Sequence, residues 1–325
     1  MADKLDVLLY GLGAIGSFYA FILHRTNRVR LTVVARSNYT AVKENGILLK
    51  SANHGDHHFH PDRVIHSPSE LTHPPSYIIC TNKAIDTANI IHSLAPAINQ
   101  NTTIVIIQNG VGNEDPFRAA YPTSTIISCV TWVGASQPTP GVTIHTTSEE
   151  TELGLYPNPT NSPSTESTRL TTFTSLLAQG QTPYTIHEDI QPTRWGKVIW
   201  NCAWNTLTTL TGQDTQAFLQ SSEDAIPLTR RLMGEVLGVA RASGVSLPDG
   251  LIDTQIARIQ GLGAVRTSMQ VDRENGRAME IEVIVGTVVR KAREVGVETP
   301  VLDTLYVLLR AVDGGRKKGE EEGKI

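Results

Sequence analysis

The chain has 325 residues, with 28 basic against 32 acidic side chains. That length accommodates two domains and a sizeable core, and the near balance of charge excludes a nucleic-acid or membrane surface as the main partner. Cys80, Cys129 and Cys202 are few, odd in number and widely spaced, which excludes a disulfide framework and fits a reducing compartment.

No apolar run approaches the roughly 20 residues needed to span a bilayer. A strand pattern begins almost at Met1 and leaves no room for a targeting peptide. The expectation is a cytoplasmic protein with neither nucleic-acid nor membrane partners.

Val7 to Tyr10 is a short apolar run that breaks into Gly11-Leu12-Gly13-Ala14-Ile15-Gly16, and a helical pattern starts at Ser17. Strand, tight turn and helix are the context in which Gly-x-Gly-x-x-Gly binds a dinucleotide. The first glycine permits the turn, the second lets backbone approach a pyrophosphate, and the third lets helix pack on strand. The helix N-terminus adds free N–H groups and partial positive charge. The alternative is a glycine turn in an α/β protein that binds no nucleotide.

A second strand, Arg30 to Ala35, follows at βαβ spacing, and the chain continues Arg36-Ser37-Asn38. The acid expected there for an NAD ribose is absent. Arg36 can pair with a 2′-phosphate, with Ser37 and Asn38 adding hydrogen bonds, so NADP is preferred. Read blandly, Arg36 is a solvated residue after a strand. Tyr39 to Glu44 reads as a helix, Asn45-Gly46 as a turn and Ile47 to Lys50 as a strand. The histidine-rich stretch His54 to His60 reads as a surface hairpin or loop rather than a metal site, because no spaced Cys or carboxylate completes a ligand shell.

Tyr77 to Cys80 and Thr102 to Ile107 read as buried strands, and each ends in polar residues: Lys83 after the first, Gln108-Asn109-Gly110 after the second. Strand ends of this kind face the cofactor crevice of a doubly wound sheet. Lys83 and Asn109 are therefore candidate cofactor or substrate contacts, against a surface lysine and a plain Asn-Gly turn. Thr125 to Val133 is a further strand. Val142 to His145 and Glu152 to Leu155 read as antiparallel strands completing the sheet. A helix from Ser167 to Ala178 and a strand near Tyr184 close the domain.

From Ile190 the strand patterns stop. Helices are expected over Arg194–Thr211, Pro227–Ser243, Ile252–Gly261, Glu280–Val295 and Leu302–Val312. The domains read as 1–188, 189–313 and a low-complexity, charged, disordered tail at 314–325. The fold class is α/β: an N-terminal Rossmann-type dinucleotide-binding domain, then an all-helical C-terminal domain, with a substrate site expected in a crevice between them. On the first helix Lys197, Asn201 and Asn205 fall at i, i+4 and i+8, on one face. A solvent-facing stripe explains the lysine better than the two asparagines, which are poor helix formers. Ser268 reads as a carboxylate donor or as a helix cap, and Asp272, Glu280 and Glu282 as surface acids when taken singly.

The combination resembles the ketopantoate reductase (2-dehydropantoate 2-reductase) family from Leu5 to about Val312. The resemblance rests on Gly11, Gly13 and Gly16, on Lys83, on Asn109-Gly110, on Lys197 with Asn201 and Asn205, and on Ser268 with Glu280 twelve residues later. It implies a Rossmann domain plus a helical domain, NADPH/NADP+ as cofactor and hydride transfer to the 2-keto carbon of ketopantoate. By position, Lys197 would be the general acid. Glu280 would hold the substrate hydroxyl or orient the lysine, and Asn201, Asn205 and Ser268 would bind substrate. Lys83 and Asn109 would lie between cofactor and substrate. Thr206 stands where many members carry Pro, and Val283-Ile284-Val285-Gly286 is more apolar than usual. The same pattern covers reductases of other small keto compounds, and a non-catalytic NADPH-binding sensor is the remaining alternative. A homodimer through the helical domain is an option that no residue demonstrates.

Overall fold

The computed structural model describes residues 4–322, with side chains through residue 315. The chain divides into two compact units. The first comprises residues 1–108 and 113–190, the second residues 109–112 and 191–325.

The first unit runs β1 (Leu5–Tyr10), α1 (Ala14–His24), β2 (Val29–Val34), α2 (Tyr39–Asn45), β3 (Ile47–Ser51), β4 (Gly55–Phe59), β5 (Arg63–Ile65), β6 (Tyr77–Cys80), α3 (Thr87–Leu94) and β7 (Thr103–Ile107). It continues with α4 (Glu114–Ala120), β8 (Thr125–Thr131), β9 (Ala135–Thr139), β10 (Val142–His145), β11 (Thr151–Tyr156), α5 (Pro163–Gln179) and β12 (Tyr184–Ile186). The main sheet has the order β12-β11-β8-β7-β6-β1-β2-β5. From β5 to β8 all neighbours are parallel, so both faces must be covered and the central strands are apolar throughout. On β1, Val7 and Leu9 pack with Phe18 of α1 and Phe173 of α5. Leu8 and Tyr10 point the other way and pack with Ile90 of α3 and Phe117 of α4. Each such buried side chain contributes roughly 1.5–3 kcal/mol.

The expected antiparallel finish is half right. β11 pairs antiparallel with β8, but β10 does not join the main sheet. It pairs parallel with β3 and antiparallel with β9 in a separate sheet of order β4-β3-β10-β9. The reason lies in α1, whose residues Gly16–Leu23 are all buried. A helix apolar all round must be covered on both sides. The second sheet supplies Ile47, Leu49 and Phe59 against Phe18 and Phe21. The histidine segment is the β4 arm of this sheet: the His57 ring lies 4.6 Å from the Phe21 ring, and the His54 Nε2 atom lies 2.9 Å from Glu149 Oε1.

The second unit holds α6 (Gln191–Thr211), α7 (Thr215–Gln220), α8 (Ala225–Ala242), α9 (Leu251–Gly261), α10 (Ser268–Glu274), a π-helical segment Glu282–Gly286, α11 (Thr287–Val295) and α12 (Pro300–Glu322). The short helices α7 and α10 go beyond the sequence reading; each begins at a polar cap, Asp214 and Thr267. The single helix expected over Glu280–Val295 contains the π segment. The helix α12 continues through residues 314–322, where composition suggested disorder. Propagating a helix already packed at Leu302 and Leu309 costs far less than starting one, and Arg, Lys and Glu are good helix formers. Residues 323–325 of that expected tail lie outside the described residues.

Candidate active site

In the first unit the glycine turn has the geometry its spacing implies. Gly11 has φ +104°, and a Cβ there would stand 2.4 Å from the Asn82 backbone nitrogen. A Cβ at Gly16 would stand 2.1 Å from the Gly11 carbonyl oxygen. Gly13, the N-cap of α1, is different: a Cβ would meet no heavy atom within 4 Å. No side chain caps α1, and its first turn carries no acid. The turn from Gly11 through Leu12, Gly13, Ala14 and Ile15 to Gly16 therefore leaves open backbone at a helix N-terminus, which suits a phosphate.

Arg36 is exposed directly after β2. Its Nη2 donates to the Tyr10 hydroxyl at 3.0 Å, and the guanidinium lies 5.8 Å from the Tyr10 ring centroid. Asn38 is buried and donates Nδ2 to the Leu12 carbonyl at 2.6 Å. It ties the end of β2 to the glycine turn, so its amide is already committed. Lys83 is exposed after β6.

The second unit gathers the rest. Lys197, Asn201 and Asn205 lie along α6, half-buried, 7% exposed and 4% exposed respectively. The solvent-facing reading of this stripe therefore fails for the two asparagines. The Asn205 Nδ2 atom is buried with no hydrogen-bond partner, a costly condition that a polar ligand would relieve. Thr206 donates its hydroxyl to the Cys202 carbonyl at 2.6 Å, so its difference from Pro is absorbed within α6.

Thr267 and Thr208 pair through their hydroxyls at 2.7 Å and fasten the start of α10 to α6. Thr267 takes the capping role, accepting from the Gln270 N–H. Ser268 follows it at the first helical position, exposed. Glu280, half-buried, accepts from Asn109 Nδ2 at 3.2 Å. The π segment just beyond is pinned to α6 by the Cys202 thiol, which donates to the Ile284 carbonyl at 3.3 Å. Complete burial pushes that thiol's pKa up, so it stays protonated and remains a donor. Asp272 is held by Arg277 at 3.0 Å. Glu282 accepts from Arg290 at 2.8 Å and from the Tyr306 hydroxyl at 2.8 Å.

One residue escaped the sequence reading. Arg194, 1% exposed, donates Nη1 to the Gly110 carbonyl at 2.9 Å. A charged residue near the start of a helix reads as solvated, and the carbonyl that buries it is 84 positions away. Among the described residues no group of three His, Cys, Asp or Glu is placed to hold a metal ion, and no helix is long and apolar enough to cross a membrane.

An α/β unit opening on Gly-x-Gly-x-x-Gly and a helical unit carrying a lysine among buried amides have the features expected of a dinucleotide-dependent oxidoreductase. Comparison with known proteins narrows this. Residues 7–158 match the family model described as ketopantoate reductase PanE/ApbA, and residues 189–313 its C-terminal companion. The chain is 34% identical to the crystal structure of 2-dehydropantoate 2-reductase from Methylococcus capsulatus, with a TM-score of 0.85 over 96% of this chain and 98% of that one. It is 26% identical over 314 residues to the 2-dehydropantoate 2-reductase of a Nostoc species, covering 96% of each chain. A D-mandelate dehydrogenase solved with NADH and anilino(oxo)acetate shares the fold, at 22% identity and a TM-score of 0.86, covering 96% of this chain and all of that one. The chain belongs to the ketopantoate reductase family.

Proposed function

We propose that the protein reduces 2-dehydropantoate to pantoate with NADPH. The observation that carries this reading is the content of the helical unit. Lys197, Asn201 and Asn205 share one helix, the Asn205 amide nitrogen is buried and unpartnered, and Glu280 is held by Asn109 within the same unit. An ammonium and amide donors suit a 2-keto acid, whose carboxylate and ketone offer only acceptors.

The residues fit the cofactor. The open backbone at Gly13 and the uncapped α1 suit a pyrophosphate, and Arg36, with no acid beside it at the end of β2, suits a 2′-phosphate. When bound, NADPH supplies the hydride. The chain supplies the rest. Lys197 stabilises the negative charge that develops on the substrate oxygen and delivers the proton from Nζ. Glu280 takes the substrate hydroxyl or orients the lysine, and Asn109 fixes the Oε2 atom of that carboxylate. Asn201, Asn205 and Ser268 donate to the substrate carboxylate and carbonyl. Lys83 lies on the cofactor side.

The test follows NADPH absorbance with purified protein and ketopantoate, repeated with NADH and with other small 2-keto acids. Rapid oxidation of NADPH with ketopantoate alone supports the proposal. Turnover of another keto compound moves the substrate assignment and leaves the residue roles intact. NADPH binding without any turnover would make the protein a sensor.

A further inference from the structure

The segment Asn109–Gly112 follows β7 in sequence yet belongs to the helical unit. Contacts within that unit hold it there. Arg194 Nη1 donates to the Gly110 carbonyl at 2.9 Å. Gly110, with φ +100°, lies so close to Val283 that a Cβ would stand 2.5 Å from its Cγ2 and 2.6 Å from its carbonyl oxygen. Asn109 donates to Glu280 at 3.2 Å.

A guanidinium that is 1% exposed is costly unless it is hydrogen-bonded, and a charge-assisted bond to a carbonyl is among the stronger ones available. Arg194 also sits three residues before Lys197 on α6, one helical turn away. The helix between them is itself fixed, since Gln255 donates to the Gly196 carbonyl at 2.7 Å. The same rigid turn therefore carries the ammonium and grips the backbone next to Asn109.

We propose that Arg194 is a positioning residue for the reduction. Through Gly110 it sets where Asn109 holds the Glu280 carboxylate relative to the helix bearing Lys197. The inference rests on the functional reading above for its consequence in turnover, but its structural half stands apart from it. Misplacement of a catalytic group by about 1 Å costs on the order of 100-fold in rate, so loss of this grip is expected to appear in kcat.

The experiment compares wild type, Arg194→Lys, Asn109→Ala and the double variant by steady-state kinetics and by hydrogen exchange of a peptide covering residues 107–113. Arg194→Lys is expected to lower kcat by roughly 10- to 100-fold and to speed exchange in that peptide, with the rest of the unit unchanged. Because Arg194 acts through Asn109, the double variant should be no slower than Asn109→Ala alone, within about threefold. Multiplying losses, or unchanged exchange in the peptide, would overturn the proposal. Arg194→Met leaves no buried charge and carries the same measurements if the lysine variant does not fold. If wild type does not turn over ketopantoate but the peptide loosens in Arg194→Lys, the substrate assignment fails and the grip stands. The cycle is then run on the keto acid that is reduced.

Discussion

Asn109 and Glu280, 171 positions apart in sequence, meet at 3.2 Å through an amide N–H donated to a carboxylate oxygen. The bond lies within the helical unit, to which Asn109 belongs although it follows β7 in sequence. Removing the donor with Asn109→Ala forfeits a hydrogen bond to a charged group, worth about 1.5–3 kcal/mol. The expected loss in kcat/KM for the keto acid is roughly 10- to 150-fold. Asn109→Asp sets a second carboxylate against the first and should be worse than Ala. An Asp variant as active as wild type would show that the pair is not engaged in the reaction.

Lys197 is the proposed proton donor. Lys197→Ala should lower kcat by roughly 10²- to 10⁴-fold while NADPH binding, followed by fluorescence titration, stays within about twofold. Lys197→Arg keeps the charge but not the proton transfer, since a guanidinium does not deprotonate in proteins; its kcat should stay close to that of the alanine variant. Near-wild-type turnover by either variant refutes the assignment.

Arg36 stands after β2 with its Nη2 on the Tyr10 hydroxyl. Arg36→Ala should raise KM for NADPH by roughly 10- to 100-fold, the worth of a charge-assisted contact, and leave KM for NADH unchanged. Tyr10→Phe removes only the hydroxyl that braces the guanidinium and should give a smaller shift in the same direction. Equal losses with both cofactors would mean that Arg36 does not read the 2′-phosphate.

The second sheet carries a pH-dependent part of the stability. The His145 side chain is inaccessible to solvent, and burial holds its pKa below the usual histidine value. Its Nδ1 lies 2.8 Å from the Ser51 hydroxyl, with His54 and Glu149 close by and Arg25 beyond, bonded to His54. The unfolded chain therefore binds a proton more readily than the folded one. The contribution is complete above about pH 6.5 and shrinks as pH falls towards the folded pKa. For Glu149, burial raises the pKa, but hydrogen bonds from Asn53 and His54 outweigh it, and the net shift is downward. Its contribution is complete above the ordinary carboxylate range and is lost at lower pH still. Thermal midpoints measured from pH 8 to pH 5 should fall through the histidine window in wild type and fall less in His145→Gln. Parallel curves for the two proteins would assign the dependence elsewhere.

The parallel sheet and the helical unit are legible because their signals are local. Residues 103–107 are buried at every position, and the stretch reads as such; the spacing of Lys197, Asn201 and Asn205 lies within one helix. The second sheet is not legible, because the pattern of Val142 to His145 looks the same whichever sheet receives it. Its partner β3 lies about a hundred residues earlier. His54 reads as a solvent-facing residue until Glu149 arrives from 95 positions away. Arg194 is hidden for the same reason. In each case burial is decided by a partner whose distance in sequence no periodicity records.

The π segment Glu282–Gly286 is separated from Glu280 by Ile281 alone, and α11 follows it, anchored by buried Val288, Val289 and Ala292. A π turn accommodates one residue more than an α turn, and each α-helical residue advances about 100°. Deleting one residue between Val283 and Val285 would leave a plain α-helix there, yet it would swing Glu280 through roughly that angle relative to α11. The bearing of the carboxylate is thus written as a count of residues rather than as their identity. The length of this stretch is constrained separately from the packing of its buried side chains.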